Sequence, residues 1–319
     1  MEAAEPARPS GRRRLIGLVA GGLILLFLGL AVASGWNRVT AYDWQLQPAL
    51  AAAGFVALVG VYAASAVGYV LILEQLSGRH VDRPRFVAIW GRSLLGRYVP
   101  GNVLMVASRL VLGQEAGIPR RVSLAASVYE QVLNLGAAAA GGLILLAAYG
   151  AATAGPAAWL VAVVPLGLLG LHPRLFGTVS AWALAKLGRE PLGALLSVRQ
   201  LVALFAWYAV TAVLLAVGVW MLVRSAAGPQ AGGPAYVGLS FLASFVVSML
   251  AFIFPAGLGV REGAFALALA RNLPGGVAIA VSAGIRLVLT LAELVFVGVA
   301  VLSARARSRA ARSSPDAAR

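Results

Sequence analysis

The sequence has 319 residues, of which 61% are hydrophobic and only 12% charged, and its formal net charge is +15. A soluble globular domain does not bury so much apolar surface, so the composition indicates a polytopic membrane protein. The positive charge is then a matter of membrane topology and does not predict a nucleic-acid partner. The absence of cysteine excludes disulfide bonds, thiolate metal sites and cysteine nucleophiles.

Long apolar runs predict most of the fold. A basic tail, residues 1–14, precedes the run LIGLVAGGLILLFLGLAVA at 15–33, which no small-x-small cleavage site follows, so we expect an uncleaved first transmembrane helix. Runs of about 17 to 25 apolar residues suffice to cross a bilayer core of about 30 Å. The predicted spans are 15–33, 49–73, 122–148, 157–171, 201–223, 235–254 and 277–303.

The segment 86–113 is broken by Pro100 and Gly101, and each of its halves is shorter than a span. The stretches SGRHVDRPR before it and GIPRR after it are rich in arginine, which is typical of cytoplasmic loops. We therefore expect the segment to enter and leave the membrane on the cytoplasmic side, as a re-entrant hairpin. A single crossing would invert everything downstream and largely remove the bias of positive charge toward the inside.

A second break lies in FPAGLGVREGAFALALARNLPGG, residues 254–276. The tail RARSRAARSS should be cytoplasmic, so the chain must descend through 235–254, break at 255–263 and return through 264–271 to the outer side. Two Pro/Gly-interrupted segments in corresponding positions are typical of an inverted repeat with a site at the midplane. The predicted fold is an all-α, polytopic membrane helical bundle of about seven spans plus two oppositely oriented re-entrant broken hairpins.

This fold predicts one transmembrane domain, 15–303, between the basic cytoplasmic tail 1–14 and an Arg-rich cytoplasmic tail, 304–319. The returning half-helices should begin near mid-membrane, at Asn102 and near residues 262–264, where their positive dipole ends suit an anion. The stretch 175–198 repeats apolar residues at helical spacing beside basic ones, which predicts a helix along the cytoplasmic interface.

Charged residues inside the predicted spans cost about 2.5 to 3.5 kcal/mol each on insertion scales, so each needs a partner. Arg109 and Arg261 lie close to the two breaks, and a guanidinium makes bidentate contacts to phosphate. Arg92 and Arg97 are expected to extend to the cytoplasmic head groups. Arg286 and Glu293 lie on one helical face, where they either serve function or are structural, satisfied by each other or by neighbouring carbonyls.

From these patterns we predict a lipid or anion site without a metal, a cofactor or a catalytic residue. The only histidines, His80 and His172, lie at predicted cytoplasmic edges, and no HExxH or Walker A motif is present, so enzymatic activity is not expected. The predicted binding residues are Pro100, Gly101, Asn102, Arg109, Gly257, Gly259, Arg261 and Arg286. The candidate charge partners or proton carriers are Glu130, Glu262 and Glu293.

The motifs YVPGNVLMVASR, SLAASVYEQVLN, PAGLGVREGAF and IRLVLTLAEL, in this order, resemble the transmembrane domain of lysylphosphatidylglycerol synthase/flippase proteins. The resemblance covers nearly the whole chain from 15 to 303. Where the family commonly has an Arg and an Asp after the glutamate, this sequence has Gln131 and Asn134. The residues that match the family pattern are Pro100, Gly101, Arg109, Glu130, Gly257, Gly259, Arg261, Glu262, Gly263, Arg286 and Glu293.

The resemblance implies lipid handling, because full-length members join this domain, which flips aminoacylated phosphatidylglycerol, to a soluble aminoacyltransferase. The sequence ends sixteen residues after the last predicted span, so we expect a stand-alone flippase-like protein without that enzyme domain. The leading hypothesis is a translocase for a phospholipid or polyprenyl-phosphate head group in a bacterial-type plasma membrane, with both termini cytoplasmic. The alternatives are a secondary transporter of a small anion and a non-catalytic partner of a separate lipid-modifying enzyme or glycosyltransferase.

Overall fold

The computed structural model describes residues 36–98, 103–150, 169–186, 194–250 and 259–313, and the regular structure within these ranges is entirely helical. The predicted span 15–33 and most of the predicted span 157–171 lie outside the described residues. The helices, numbered here in chain order, are α1 Trp36–Thr40, α2 Pro48–Ser77, α3 Arg83–Leu94, α4 Val103–Glu115, α5 Arg120–Tyr149, α6 Pro173–Lys186, α7 Val198–Ala227, α8 Pro234–Leu250, α9 Val260–Leu269 and α10 Gly275–Ser313.

Helices α2, α5, α7 and α10 are long and apolar enough to cross a membrane. A helix of 30 residues, such as α2, is about 45 Å long, which exceeds the hydrocarbon core of about 30 Å. These four helices confirm the spans predicted at 49–73, 122–148, 201–223 and 277–303. Helix α8 matches the predicted span 235–254 as far as Leu250, beyond which the span lies outside the described residues.

The outward faces of these helices carry large apolar side chains. Val56 on α2, Val210 on α7 and Leu287 on α10 are 68%, 69% and 71% exposed. Such a surface suits lipid acyl chains, since hydrocarbon does not penalise apolar side chains as water does. The described chain is therefore a helical bundle whose outer surface fits a membrane.

Helices α2 and α7 form a close antiparallel pair. The nitrogen of Gln47, just before α2, donates to the carbonyl oxygen of Ser225 near the end of α7 at 2.9 Å. A Cβ added at Gly54 would lie 2.9 Å from the carbonyl oxygen of Gly218. Small residues at this crossing therefore allow the two backbones to approach, as is common between membrane helices.

The segment around Pro100 and Gly101 forms a hairpin, as predicted. Helix α3, a 3-10 turn Leu95–Tyr98 and α4 make up the first hairpin. At its open end, Arg85 Nη2 donates to the carbonyl oxygen of Glu115 at 3.3 Å. Toward its tip, a Cβ at Gly96 would lie 2.7 Å from the backbone nitrogen of Met105. The two arms are thus paired along their length, and both ends of the segment emerge at the same place.

Helices α8 and α9 form the second hairpin. The hydroxyl of Tyr236, at the start of α8, donates to the carbonyl oxygen of Ala268 near the end of α9 at 2.7 Å. The returning arm begins at Val260, slightly earlier than predicted, after Gly259 with a φ of +84°. A left-handed residue at this position favours glycine because it has no Cβ to clash.

The two hairpins enter the bundle from opposite ends. The first opens beside the C-terminal end of α2, where Arg83 forms an ion pair with Glu74 at 2.9 Å. The second opens beside the C-terminal end of α7, where Asn272 Nδ2 donates to the carbonyl oxygen of Ala231 at 3.3 Å. Because α2 and α7 are antiparallel, these ends lie on opposite sides of the bundle. The predicted opposite orientation of the hairpins agrees with these contacts.

The stretch predicted to lie along the membrane interface is helical from Pro173 to Lys186, and residues 187–193 of it lie outside the described residues. Leu175, Val179 and Trp182 on this helix are more than half exposed, and Lys186 Nζ lies 4.2 Å from the ring centre of Trp182. An exposed apolar row beside a basic residue is typical of interfacial helices. The position of α6 at a membrane surface stays a prediction.

We expect Gly54→Ala to destabilise the bundle, because its Cβ would meet both the Gly218 carbonyl oxygen and Leu222 Cγ at 2.9 Å. Overpacking of this kind costs about 1 to 3 kcal/mol, against a helix-propensity gain of about 1 kcal/mol for replacing glycine. The matched control is Gly60→Ala, whose Cβ makes an ordinary 3.5 Å contact with Leu214 Cδ2. Unfolding in detergent measures both, and equal stability of the two variants would contradict the close approach of α2 and α7.

Candidate functional site

A cavity of about 370 Å³ lies in the centre of the bundle. Both hairpins contribute to its wall, together with α2, α5, α7 and α10. This volume falls in the range of small-ligand pockets, which combine an apolar lining with a few placed polar groups. The charged side chains that line it are Arg97, Arg109, Glu130, Arg261 and Arg286.

Arg109 on α4 is almost completely buried, with 1% exposure, and forms an ion pair with Glu130 on α5. Its Nε donates to Ser93 Oγ at 2.8 Å, and Trp90 Nε1 donates to the other oxygen of Glu130, also at 2.8 Å. The guanidinium carbon lies 4.9 Å from the ring centre of Tyr69. Charge pairing, hydrogen bonds and an aromatic face together stabilise an arginine away from water. This network joins the first hairpin to α5.

Arg97 forms an ion pair with Glu293 on α10, whose side chain is fully buried. Arg97 Nη2 also donates to the hydroxyl of Tyr62 at 3.3 Å, and that hydroxyl donates to the carbonyl oxygen of Leu289 at 3.2 Å. The expectation that Arg97 extends to the lipid head groups is therefore wrong, because a buried carboxylate holds it at the cavity. Arg92 is exposed, and its contact with head groups stays a prediction.

Glu262 is shared by two arginines. Its Oε1 accepts from Arg261 Nη2 at 3.1 Å and lies 3.9 Å from Arg286 Nε, while its Oε2 accepts from the nitrogen of Gly259 at 2.8 Å. Glu262 thus caps the first turn of α9 and holds Arg261 and Arg286 at its side. The interpretation that Arg286 and Glu293 satisfy each other is wrong, because each pairs with another residue across the bundle.

Positive charge exceeds negative charge at this site. The described residues in and directly against the cavity include four arginines and three glutamates, which leaves one formal positive charge. The excess lies where Arg261 and Arg286 share Glu262. Within the described part of the chain, the buried Nη2 atoms of Arg286 and Arg109 have no hydrogen-bond partner. A buried charged donor without a partner is costly, so both atoms favour an acceptor that enters the cavity.

Among the described residues, the rest of the polar wall is uncharged. Gln131 and Asn134 line the cavity from α5, beside Glu130. Besides Tyr62 and Trp90, the described wall contains the hydroxyl side chains of Ser65, Thr211, Ser248 and Thr290. Three of these hydroxyls, on Thr211, Ser248 and Thr290, donate to carbonyl oxygens of their own helices at 2.8 to 3.0 Å. Their oxygens therefore remain available as acceptors.

The structure brings most of the predicted site residues together. Arg109, Glu130, Arg261 and Arg286 line the cavity, and Glu262 and Glu293 bind its arginines. Gly259 contributes its backbone to the cap of α9. The predicted residues Pro100, Gly101, Asn102 and Gly257 lie outside the described residues. Binding of a lipid or anion by these residues stays a prediction.

Several cavity residues were absent from the predicted site. Arg97 lies three residues before Pro100, and this closeness to a break was the same signal that selected Arg109 and Arg261. Trp90 precedes Arg97 by two helical turns and so shares its face. Ser93 and Tyr62 carry no comparable sequence signal. Among the described residues, no group of three or more His, Cys, Asp or Glu side chains is placed to hold a metal ion.

The Arg109–Glu130 pair yields a stability prediction. We expect Arg109→Met to lower the free energy of unfolding by about 3 to 5 kcal/mol, because it leaves Glu130 buried without its counter-charge. The double variant Arg109→Met/Glu130→Met should recover most of this loss, since an apolar pair needs no desolvation. Unfolding in detergent measures both, and a double variant as unstable as Arg109→Met would show that the charge pair is not the cause.

Comparison with known proteins bears on the family of the chain. No curated protein matches the chain. Residues 14–298 match the family described as Lysylphosphatidylglycerol synthase TM region, which confirms the resemblance found in the motifs. The match covers both hairpins and every charged residue of the cavity. The chain therefore belongs to the lysylphosphatidylglycerol synthase transmembrane-region family.

Proposed function

We propose that the protein is a lipid translocase, which admits an anionic lipid head group to the cavity between the two hairpins while the acyl chains stay in the bilayer. The observation that carries this proposal is the excess positive charge at Arg261 and Arg286, where one carboxylate serves two guanidiniums. Arg286 Nη2 is buried and lacks a partner within the described residues. A phosphate oxygen is the acceptor that would complete both arginines.

The backbone of the second hairpin supports the same ligand. Arg261 lies in the first turn of α9, whose N-terminal end carries a positive partial charge. The Gly259 nitrogen already donates its hydrogen bond to Glu262. The ligand would therefore bind the guanidiniums, close to the positive N-terminal end of α9. Together these groups would lower the cost of moving a phosphate through the hydrocarbon layer, which is prohibitive without polar partners.

We further propose that the lipid crosses chemically unchanged, in the plasma membrane of a bacterial-type cell and with both termini cytoplasmic. The arginines at the open end of the first hairpin support this orientation, since cytoplasmic loops carry an excess of Lys and Arg. These are Arg79, Arg83, Arg85, Arg120 and Arg121. A separate lipid-modifying enzyme or glycosyltransferase that supplies the substrate is the protein partner compatible with this activity.

Arg286→Gln tests the proposed site. We expect the transbilayer movement of a labelled anionic phospholipid in proteoliposomes to fall at least about tenfold, because loss of one charge-assisted phosphate contact is worth about 1.5 to 3 kcal/mol. The fold should survive, since Arg261 still pairs with Glu262 and no carboxylate is left alone. Arg92→Gln is the matched control, because it removes an exposed arginine from the first hairpin outside the cavity.

Wild-type lipid movement in a folded Arg286→Gln variant would remove the proposed site. Uptake of a soluble anion that depends on Arg286, without any lipid movement, would instead establish a small-anion transporter.

The absence of cysteine from the sequence allows a direct test of the orientation. Gln114→Cys, near the open end of the first hairpin, should react with a membrane-impermeant maleimide only after cells are permeabilised. Gly233→Cys, at the open end of the second, should react on intact cells, and nothing lies within 4 Å of its added Cβ. Labelling of both positions from the same side would contradict the proposed topology.

A further inference from the structure

We infer that the cavity selects lipid head groups that carry a single phosphodiester charge and otherwise only uncharged, hydrogen-bonding groups, and that it rejects cationic and zwitterionic head groups. This inference rests on the proposed function and names its substrate class. It follows from the ion pairs of the cavity, in which each described glutamate already pairs with an arginine and one arginine charge remains in excess.

No carboxylate among the described residues of the cavity is left to receive a cation. Arg109 pairs with Glu130, which also accepts from Trp90. Glu293 pairs with Arg97, and Glu262 with Arg261. An ammonium or aminoacyl group entering this space would lose its hydration and meet a net positive wall, and such a burial is strongly unfavourable without a counter-charge.

The excess charge of the cavity matches one negative charge. Four arginines stand against three glutamates, so a phosphodiester, which carries one charge, would neutralise the site. A head group with an added ammonium would restore the excess beside guanidiniums that are largely buried. Electrostatic matching of this kind governs selectivity more than it governs raw affinity.

The uncharged wall suits the rest of such a head group. The amides of Gln131 and Asn134 both donate and accept, and neither forms a hydrogen bond to another described residue. The hydroxyl oxygens of Thr211 and Thr290 accept as well, because each hydroxyl donates to its own helix. Glycerol or sugar hydroxyls can donate to these oxygens and accept from the amide nitrogens, whereas an ammonium only donates.

Lipid retention by the purified protein tests the selectivity. The full chain is reconstituted in nanodiscs with equal amounts of phosphatidylglycerol, phosphatidylethanolamine and phosphatidylglycerol esterified with lysine, and the lipids it retains are quantified by native mass spectrometry. We expect phosphatidylglycerol to exceed each of the other two by about tenfold or more, the effect of one unfavourable charge in a poorly solvated site.

Asn134→Asp sharpens the test, because it adds a carboxylate to the cavity with almost no change in volume. It should reduce the preference for phosphatidylglycerol by about tenfold, since the new charge neutralises the excess and can receive an ammonium. Gln114→Glu is the matched control, with the same change of charge at an exposed position outside the cavity. This control should keep the wild-type preference.

Equal retention of the three lipids, or a preference that Asn134→Asp leaves unchanged, would overturn the inference. If lipid movement still depends on Arg286 in that case, the proposed function stands without this selectivity. If the preference is present but no lipid crosses the bilayer, the selectivity stands and the translocase proposal fails. A protein that retains none of these lipids would contradict both.

Discussion

A break in a helix within hydrocarbon must be surrounded by protein, because lipid offers no partner to the backbone groups that the break releases. Each of the two hairpins accordingly packs against three of the long helices α2, α5, α7 and α10. The cavity lies between the hairpins and these helices, so the same constraint that shapes the fold also positions the charged groups.

The buried arginines serve both the fold and the site. Arg109 links the first hairpin to α5, Arg97 links it to α10, and Arg286 with Glu262 links α10 to the second hairpin. In each ion pair the partner charge replaces the water that would otherwise solvate the buried side chain. The ion pairs therefore fix the positions of the hairpins more specifically than apolar packing alone would. At Glu262, in contrast, two guanidiniums share one carboxylate. A negatively charged ligand would neutralise the positive charge that remains there.

Much of the fold was predictable from the sequence because length and charge bias are local properties. Apolar runs identified the spans, and arginine-rich flanks identified the first hairpin before any contact was known. The cavity residues were predictable where they lay close to a break, as with Arg109 and Arg261. The pairings were not, because they depend on how each helix is rotated about its axis. Spacing showed that Arg286 and Glu293 share one helical face and left their partners open, whereas packing turns them toward Glu262 and Arg97. Arg97 was misassigned for the same reason.

The type of cationic side chain in the cavity determines how its charge responds to pH. Among the described residues that line the cavity, the positive charges are all arginines, with no histidine or lysine. A guanidinium does not lose its proton at any pH that a cell experiences, and the partial charge of a helix end does not titrate at all. The positive side chains of the cavity therefore keep their charge between mildly acidic and mildly alkaline surroundings, where a histidine would lose or gain a proton. If an anion binds there, as proposed, any acid sensitivity of its binding would come from the glutamates or from the ligand itself.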